Sequence, residues 1–428
     1  MEFVVKPDKL SHDRDKTKKH SSTNKLVEKK YLIPFALITS LFFMWGFARA
    51  TLDVLNKHFQ ESLSISITQS TLIQATTYLG YFLMAIPAGV LITRYGYRRG
   101  VVAGLLLFAI GSLLFIPGAA VMSFNIFIGA LFVIGCGLVI LETAANPYAS
   151  VLGSPATAAS RLNLAQSFNG LGCILAPVLI GNFLFSGDNG NVDIPYAIMG
   201  GFVLVAALIF SRIKLPEISS EEAEEKEEQP HSVFSTIKAL LSDPVFSLGL
   251  FALFCYEIAE ISINSLFINY TTSEGWMDNT VASTVLSFGA LGLFMLARIG
   301  GSWIMSLINA EKVLAFCAVM TVVSALLVAF NIGVMSKVGL FACYAFEAIM
   351  FPTIFAITIA RVKPASVKLA SSLLMMTPIG GAVGTFLMGL VADATSMSTS
   401  FVVPAIGYFF VLIYSIKRLS HLRTYANE

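Results

Sequence analysis

Residues 135–147 read GCGLVILETAANP, placing a carboxylate (Glu142) and a carboxamide (Asn146) inside a segment that is otherwise apolar from Ile126 onward. Four residues apart, the two share one face of a helix. Pro147 withholds a backbone donor one residue later and loosens the turn beneath them. An ionisable side chain at membrane depth costs about 3 kcal/mol or more, so it faces a cavity or a partner and marks a path for protons, ions or substrate. A buried, hydrogen-bonded glutamic acid that only ties helices together is the plainer alternative.

The surrounding chain supports membrane depth. Of its 428 residues 56% are hydrophobic and 13% charged, against about half and about a quarter in water-soluble domains. Apolar stretches of about 18 residues or more occupy 31–57, 68–93, 98–121, 123–152, 156–186, 194–214, 244–270, 279–306, 311–334, 337–361, 366–394 and 399–419, which predicts an all-α membrane protein of twelve transmembrane helices. Twenty-four of the 28 Lys and Arg residues flank the spans on one side, Lys57 and Lys337 lie on the other, and Arg49 and Arg298 fall inside spans. Both termini are therefore expected in the cytoplasm and the chain in the cell membrane. The predicted organisation is a disordered tail (1–30), a six-helix half (31–214), a polar linker around EEAEEKEEQP (215–243), a second six-helix half (244–420) and a short tail (421–428). The five cysteines all lie in spans without C-x-x-C spacing or clustered His, so no metal site is expected. With no nucleophile–base constellation or phosphate loop, the chain is not read as an enzyme. Its basic residues follow topology rather than a patch, which argues against a nucleic-acid partner.

The words FFMWGFARATLDVLNKHFQ (42–60), LETAANPYASVLG (141–153), RLNLAQSFNGLG (161–172) and FPTIFAITI (351–359) resemble the fucose:proton symporter family of the major facilitator superfamily. The resemblance implies two pseudo-symmetric halves, a monosaccharide substrate of the fucose, galactose or glucose class, and coupling to a proton or sodium ion; the alternative on the same architecture is an uncoupled facilitator or exporter of another small polar solute. The chain is read as a monomer in the bilayer, with no cofactor besides that ion.

Within span 1, Trp45, Arg49 and Asp53 share a face. Carrying the family's aspartate over to Asp53 makes it, with Glu142, the expected proton-coupling pair. Leu52 stands where an Asn is common, and Arg49 replaces a small or polar residue: an Arg49–Asp53 pair would hold that aspartate ionised and leave proton traffic to Glu142 alone, whereas with Arg49 pointing away Asp53 titrates. Thr71, Gln74, Tyr78 and Tyr81 form a polar stripe along span 2, suited to hydroxyl recognition or to tying helices. The segment GVLITRYGYRRG (89–100) resembles the superfamily's gating loop with Thr93 at the acidic position, which assigns Arg94, Arg98 and Arg99 to gating; Arg298 is assigned to the second such loop.

An internal repeat matches Glu142–Pro147 with Glu347–Pro352 at an offset of 205, and Arg161-Leu162 with Lys368-Leu369 at 207. Two such halves place a site near midplane between them. The repeat maps Asn163, Gln166 and Asn169, which step down one face of span 5, onto Ala370, Leu373 and Met376, and maps Asn146 onto Phe351. The N-terminal half is thus expected to supply most hydrogen bonds, through Gln74, Tyr78, Asn146, Asn163, Gln166 and Asn169, with Phe351 as a stacking face for a pyranose. Span 7 adds Glu257, Glu260 and Asn264 on one face. Two carboxylates one turn apart require a proton or cation on at least one, unless they line a solvated vestibule; Glu260 and Asn264 join the predicted substrate contacts.

Overall fold

The computed structural model describes residues 26–27, 31–62, 67–185, 193–213, 232–277 and 279–426, and among these every regular element is helical. In hydrocarbon no water satisfies the backbone, so apolar runs rich in Val and Ile, which in water favour strands, fold as helices here. The helices are α1 (Leu32–Ser62), α2 (Ile67–Leu113), α3 (Phe124–Val151), α4 (Ala158–Phe185), α5 (Asp193–Arg212), α6 (Pro244–Ser273), α7 (Leu291–Leu307), α8 (Ala310–Ala329), α9 (Val334–Glu347), α10 (Met350–Ile359), α11 (Val367–Leu374), α12 (Ile379–Ala394) and α13 (Val402–Ala426).

Among the described residues ten helical stretches are long and apolar enough to cross a membrane. One of them, Ala75–Ala120, is longer than a bilayer needs and breaks at Gly96 (φ 83°), a backbone conformation open to glycine. With α4, 28 residues long, the arrangement is consistent with the expected twelve. Two expected boundaries shift: residues 233–242 of the anticipated linker form a helix that buries Leu240, and α13 continues through Ala426. A π turn (Val285–Ala290) within the expected eighth span precedes α7. The remaining tail and linker residues lie outside the described ones.

The start of α6 follows its local sequence: Asp243 accepts from the Val245 N–H at 2.8 Å, with Pro244 in the first turn. Arg161 closes the end of α3. Fully buried, it donates to the carbonyls of Ala149, Ser150 and Ser154 and to Thr157 Oγ1, meeting acceptors that a helix C-terminus leaves open.

Helices α1–α5 pack among themselves, α2 on α3 and α5, and α1 on α4; in the second set, α6 packs on α12 and α13, and α8 on α9 and α13. The two sets meet where α4 lies against α7 and α10, and α2 against α11. Gly89 permits the last approach, because a Cβ there would sit 2.5 Å from Ser372 Oγ.

Candidate functional site

The repeated Glu-x-x-x-x-Pro pattern acts first on the backbone. Pro147 has no N–H to give the Thr143 carbonyl one turn back, and Pro352 none to give that of Ala348. Both freed carbonyls find donors from other helices: Ser371 Oγ donates to Thr143 O at 2.9 Å, and Arg298 Nε donates to Ala348 O at 2.6 Å. The first bond crosses between the two sets of helices. The second holds the turn Ala348–Ile349 that separates α9 from α10, so the C-terminal copy of the motif sits on a broken span while the N-terminal copy lies within unbroken α3.

Contacts between the sets continue along α4 from its first turn. Ser160 Oγ donates to Ser302 O at 2.6 Å and Ser302 Oγ to Ser160 O at 2.8 Å. Next, Asn163 Nδ2 donates to Ala159 O at 2.9 Å and to Thr353 Oγ1 at 3.1 Å. One turn further, Gln166 Nε2 donates to Asn146 Oδ1 at 3.0 Å, Asn146 Nδ2 to Met375 Sδ at 3.4 Å, and Arg298 to both Gln166 O (3.2 Å) and Gln166 Oε1 (3.4 Å). Lys368 lies over the Tyr97 ring at 5.1 Å. The sets are thus closed on each other from the α3–α4 and α10–α11 connections up to the level of Asn146 and Gln166.

Beyond that seal lies a charged layer. Arg49 of α1 forms an ion pair with Glu260 of α6 at 3.2 Å, and its guanidinium lies 5.9 Å from the centre of the Trp45 ring. Asn264 Nδ2 donates to the other Glu260 oxygen at 2.8 Å. The Trp45 indole donates to the Tyr81 hydroxyl, and Tyr81 hydrogen-bonds Glu142, which also lies in the fields of Arg49 and Arg298. Glu257 is buried among Glu260, Arg49, Glu142 and Arg298. Tyr256, Phe351 and Phe355 form an aromatic row beside this layer, Phe351 lying 6.3 Å from each of the others.

These positions correct several expectations. Arg49 pairs across the interface with Glu260; the Asp53 and Gln74 side chains lie outside the described ones, so neither an Arg49–Asp53 pair nor the Gln74 contact is placed. Arg298 is not in a loop at the membrane edge but buried at the level of Gln166, because its guanidinium serves the carbonyl that Pro352 frees. Of the gating arginines, Arg98 donates to Ser211 O at the end of α5, within its own half, while Arg94 and Arg99 are exposed. Glu257 and Glu260 do not line a solvated vestibule: they are 6% and 5% exposed. Asn169 lies between α4 and α1, donating to Phe42 O at 3.4 Å against Gly46, and so ties two helices of one half. Asn146, Asn163 and Gln166 are buried in the seal, whereas Trp45, Arg49, Tyr78 and Asn264 keep partial exposure at the charged layer. Trp45 and Arg49, which the sequence did not assign to the substrate, join this layer, and the face they share in span 1 is readable from their spacing.

A family model described as Major Facilitator Superfamily matches residues 38–330. The chain is 34% identical over 412 residues to an L-fucose-proton symporter of Escherichia coli, covering 90% of this chain and 93% of that one. It is likewise 34% identical over 408 residues to a glucose/galactose transporter of Brucella abortus, covering 93% and 96%. Its structure superposes on that of a Major Facilitator Superfamily transporter, FucP, in the outward conformation, with a TM-score of 0.82 and 33% identity over 91% of this chain and 99% of that one. A proton:xylose symporter, 12% identical with a TM-score of 0.70, shares the fold.

Proposed function

Because the chain belongs to the major facilitator superfamily, and within it to the branch of L-fucose-proton symporters and glucose/galactose transporters, we propose that it imports a neutral monosaccharide of the fucose, galactose or glucose class together with a proton by alternating access. The observation that carries this reading is the imbalance of the charged layer. Among the described residues, the buried carboxyls of Glu142, Glu257, Glu260 and Glu347 share two guanidiniums, Arg49 and Arg298. Carboxylates in excess of cations at membrane depth repel one another and take up protons as a coupled set.

The half-exposed groups above the seal suit a sugar: Arg49, Tyr78 and Asn264 supply donors and acceptors for hydroxyls, and Trp45 an aromatic face. With both termini on the cytoplasmic side, as the basic residues direct, the seal closes the cytoplasmic end and this conformation faces outward. The carboxamides of Asn146, Asn163 and Gln166 come free when that end opens, and receive the sugar on its inward passage. Glu142 is placed to link the proton to these events, since it shares α3 with Asn146 and shares Arg49 with Glu260.

Purified protein in proteoliposomes, given labelled L-fucose, D-galactose and D-glucose in turn and an internal pH dye, tests this. Uptake of at least one sugar should acidify the lumen. Sugar uptake driven by sodium, or moving with no ion, would refute the proton reading.

A further inference from the structure

Glu347, the repeat partner of Glu142, is fully buried at the end of α9, where the tenth span breaks. The Tyr408 hydroxyl of α13 donates to its Oε2, while its Oε1 and the Tyr344 hydroxyl one turn away have no hydrogen-bond partner among the described residues. The groups facing it are Cys343 and Tyr344 on its own helix, Tyr256 and Glu260 on α6, Arg298 on α7, Tyr408 on α13 and, at longer range, Arg49 on α1. The two cations are engaged elsewhere, Arg49 on Glu260 and Arg298 on the Gln166 and Ala348 oxygens. A neutral carboxyl here leaves one polar group unmet. An ionised one leaves a desolvated charge with a bare oxygen, a penalty several times larger.

We propose that Glu347 is a second proton carrier, protonated while Arg298 is held by Gln166 and charged once Arg298 turns to it. Arg298 is placed for that exchange: it acts electrostatically on Glu347 and in the closed seal bonds Gln166 on α4 of the opposite half. As the halves part, Gln166 withdraws and water enters. The Glu347 O–H bond breaks, its electron pair stays on the carboxylate facing the guanidinium, and the proton leaves on water toward the opened side. Each sugar then moves with one proton more than Glu142 alone would carry. The inference rests on the symport reading, and its test separates the two.

Parent and Glu347→Gln proteins are compared in proteoliposomes with whichever of labelled L-fucose, D-galactose or D-glucose the parent accumulates. With a pH gradient of one unit, removing one coupled proton should lower the final accumulation about tenfold, while sugar counterflow, which needs no net proton movement, persists. Equal accumulation by a proton-coupled parent and the variant overturns this assignment alone; a parent moving sugar without protons overturns the symport reading with it. If Glu347→Gln does not reach the membrane, infrared difference spectra of parent and Tyr408→Phe decide instead. Losing the Tyr408 bond should displace the C=O stretch of a protonated carboxyl, and a spectrum with no such displaced band refutes the proposal.

Discussion

The Ser371–Thr143 bond offers the sharpest test of how the halves are held. Pro147 leaves the Thr143 carbonyl without its helical donor, and in the closed seal the opposite half supplies one at 2.9 Å. Once the seal opens, water supplies it. Ser371→Ala therefore removes a bond from the closed conformation alone. One hydrogen bond contributes about 0.5–1.5 kcal/mol net, so the closed-to-open ratio should fall roughly 2- to 10-fold. Spin labels at Tyr95 and Lys363, exposed positions on the two sides of the sealed end, report that ratio through their distance distribution. Ser415→Ala is the control, since that hydroxyl bonds Leu412 O in its own helix at 2.8 Å, away from the contact between halves. A Ser371→Ala distribution that overlays the parent's, or an equal change from Ser415→Ala, would show that the freed carbonyl does not help hold the halves together.

Three further outcomes are expected. Glu142→Gln should keep counterflow but lower accumulation against a gradient, because a carboxamide carries no exchangeable proton; accumulation at the parent's level would remove Glu142 from the coupling path. Arg49→Ala and Glu260→Gln should each lower thermal stability by about 1–2 kcal/mol, below the 3–5 typical of a broken buried pair because the Arg49 side chain is 28% exposed. The double variant should lose less than the sum, and strict additivity would dissolve the pair. Gln166→Ala should raise the apparent KM several-fold in inside-out vesicles, where the seal must open for sugar to enter, and change it little in right-side-out vesicles; equal effects in both would place Gln166 in the outward site.

The helical membrane spans and the burial of Glu142 were legible because membrane helices obey local rules: apolar length, basic flanks, and a strong penalty on buried charge. The repeat was legible too, and it pointed to Glu347 and Pro352 without saying what they do. Partners across the interface were not legible. Helical spacing offers Asp53, one turn from Arg49, whose side chain lies outside the described ones; Glu260 lies 211 positions away, and only the folded arrangement of the two sets brings it within 3.2 Å. Arg298 failed for the same reason: a basic residue near a span end reads as topology, and its use as donor to a proline-freed carbonyl depends on two helices meeting. For the carboxamides of span 5 the sequence gives the spacing but not the conformation, in which Asn163 and Gln166 meet the other half while Asn169 meets α1 of its own.

The two arginines give the halves a common electrostatic logic. Arg49 belongs to the N-terminal half and bonds a carboxylate of the C-terminal half, while lying in the field of Glu142 of its own half. Unit charges about 4 Å apart interact by about 4 kcal/mol at the effective dielectric of such sites. That exceeds the roughly 1–3 kcal/mol by which allosteric sites commonly act on one another. On the symport reading, a proton on Glu142 leaves Arg49 wholly to Glu260 and ties α1 to α6. Loss of that proton draws the guanidinium back toward α3 and loosens the tie. Arg298 is the mirror case, a C-terminal cation bonded to Gln166 of the N-terminal half with Glu347 of its own half waiting behind it. Each guanidinium thus has a partner across the interface and a carboxyl neighbour within its own half, and on the symport reading proton occupancy and contact between halves are two readings of one equilibrium.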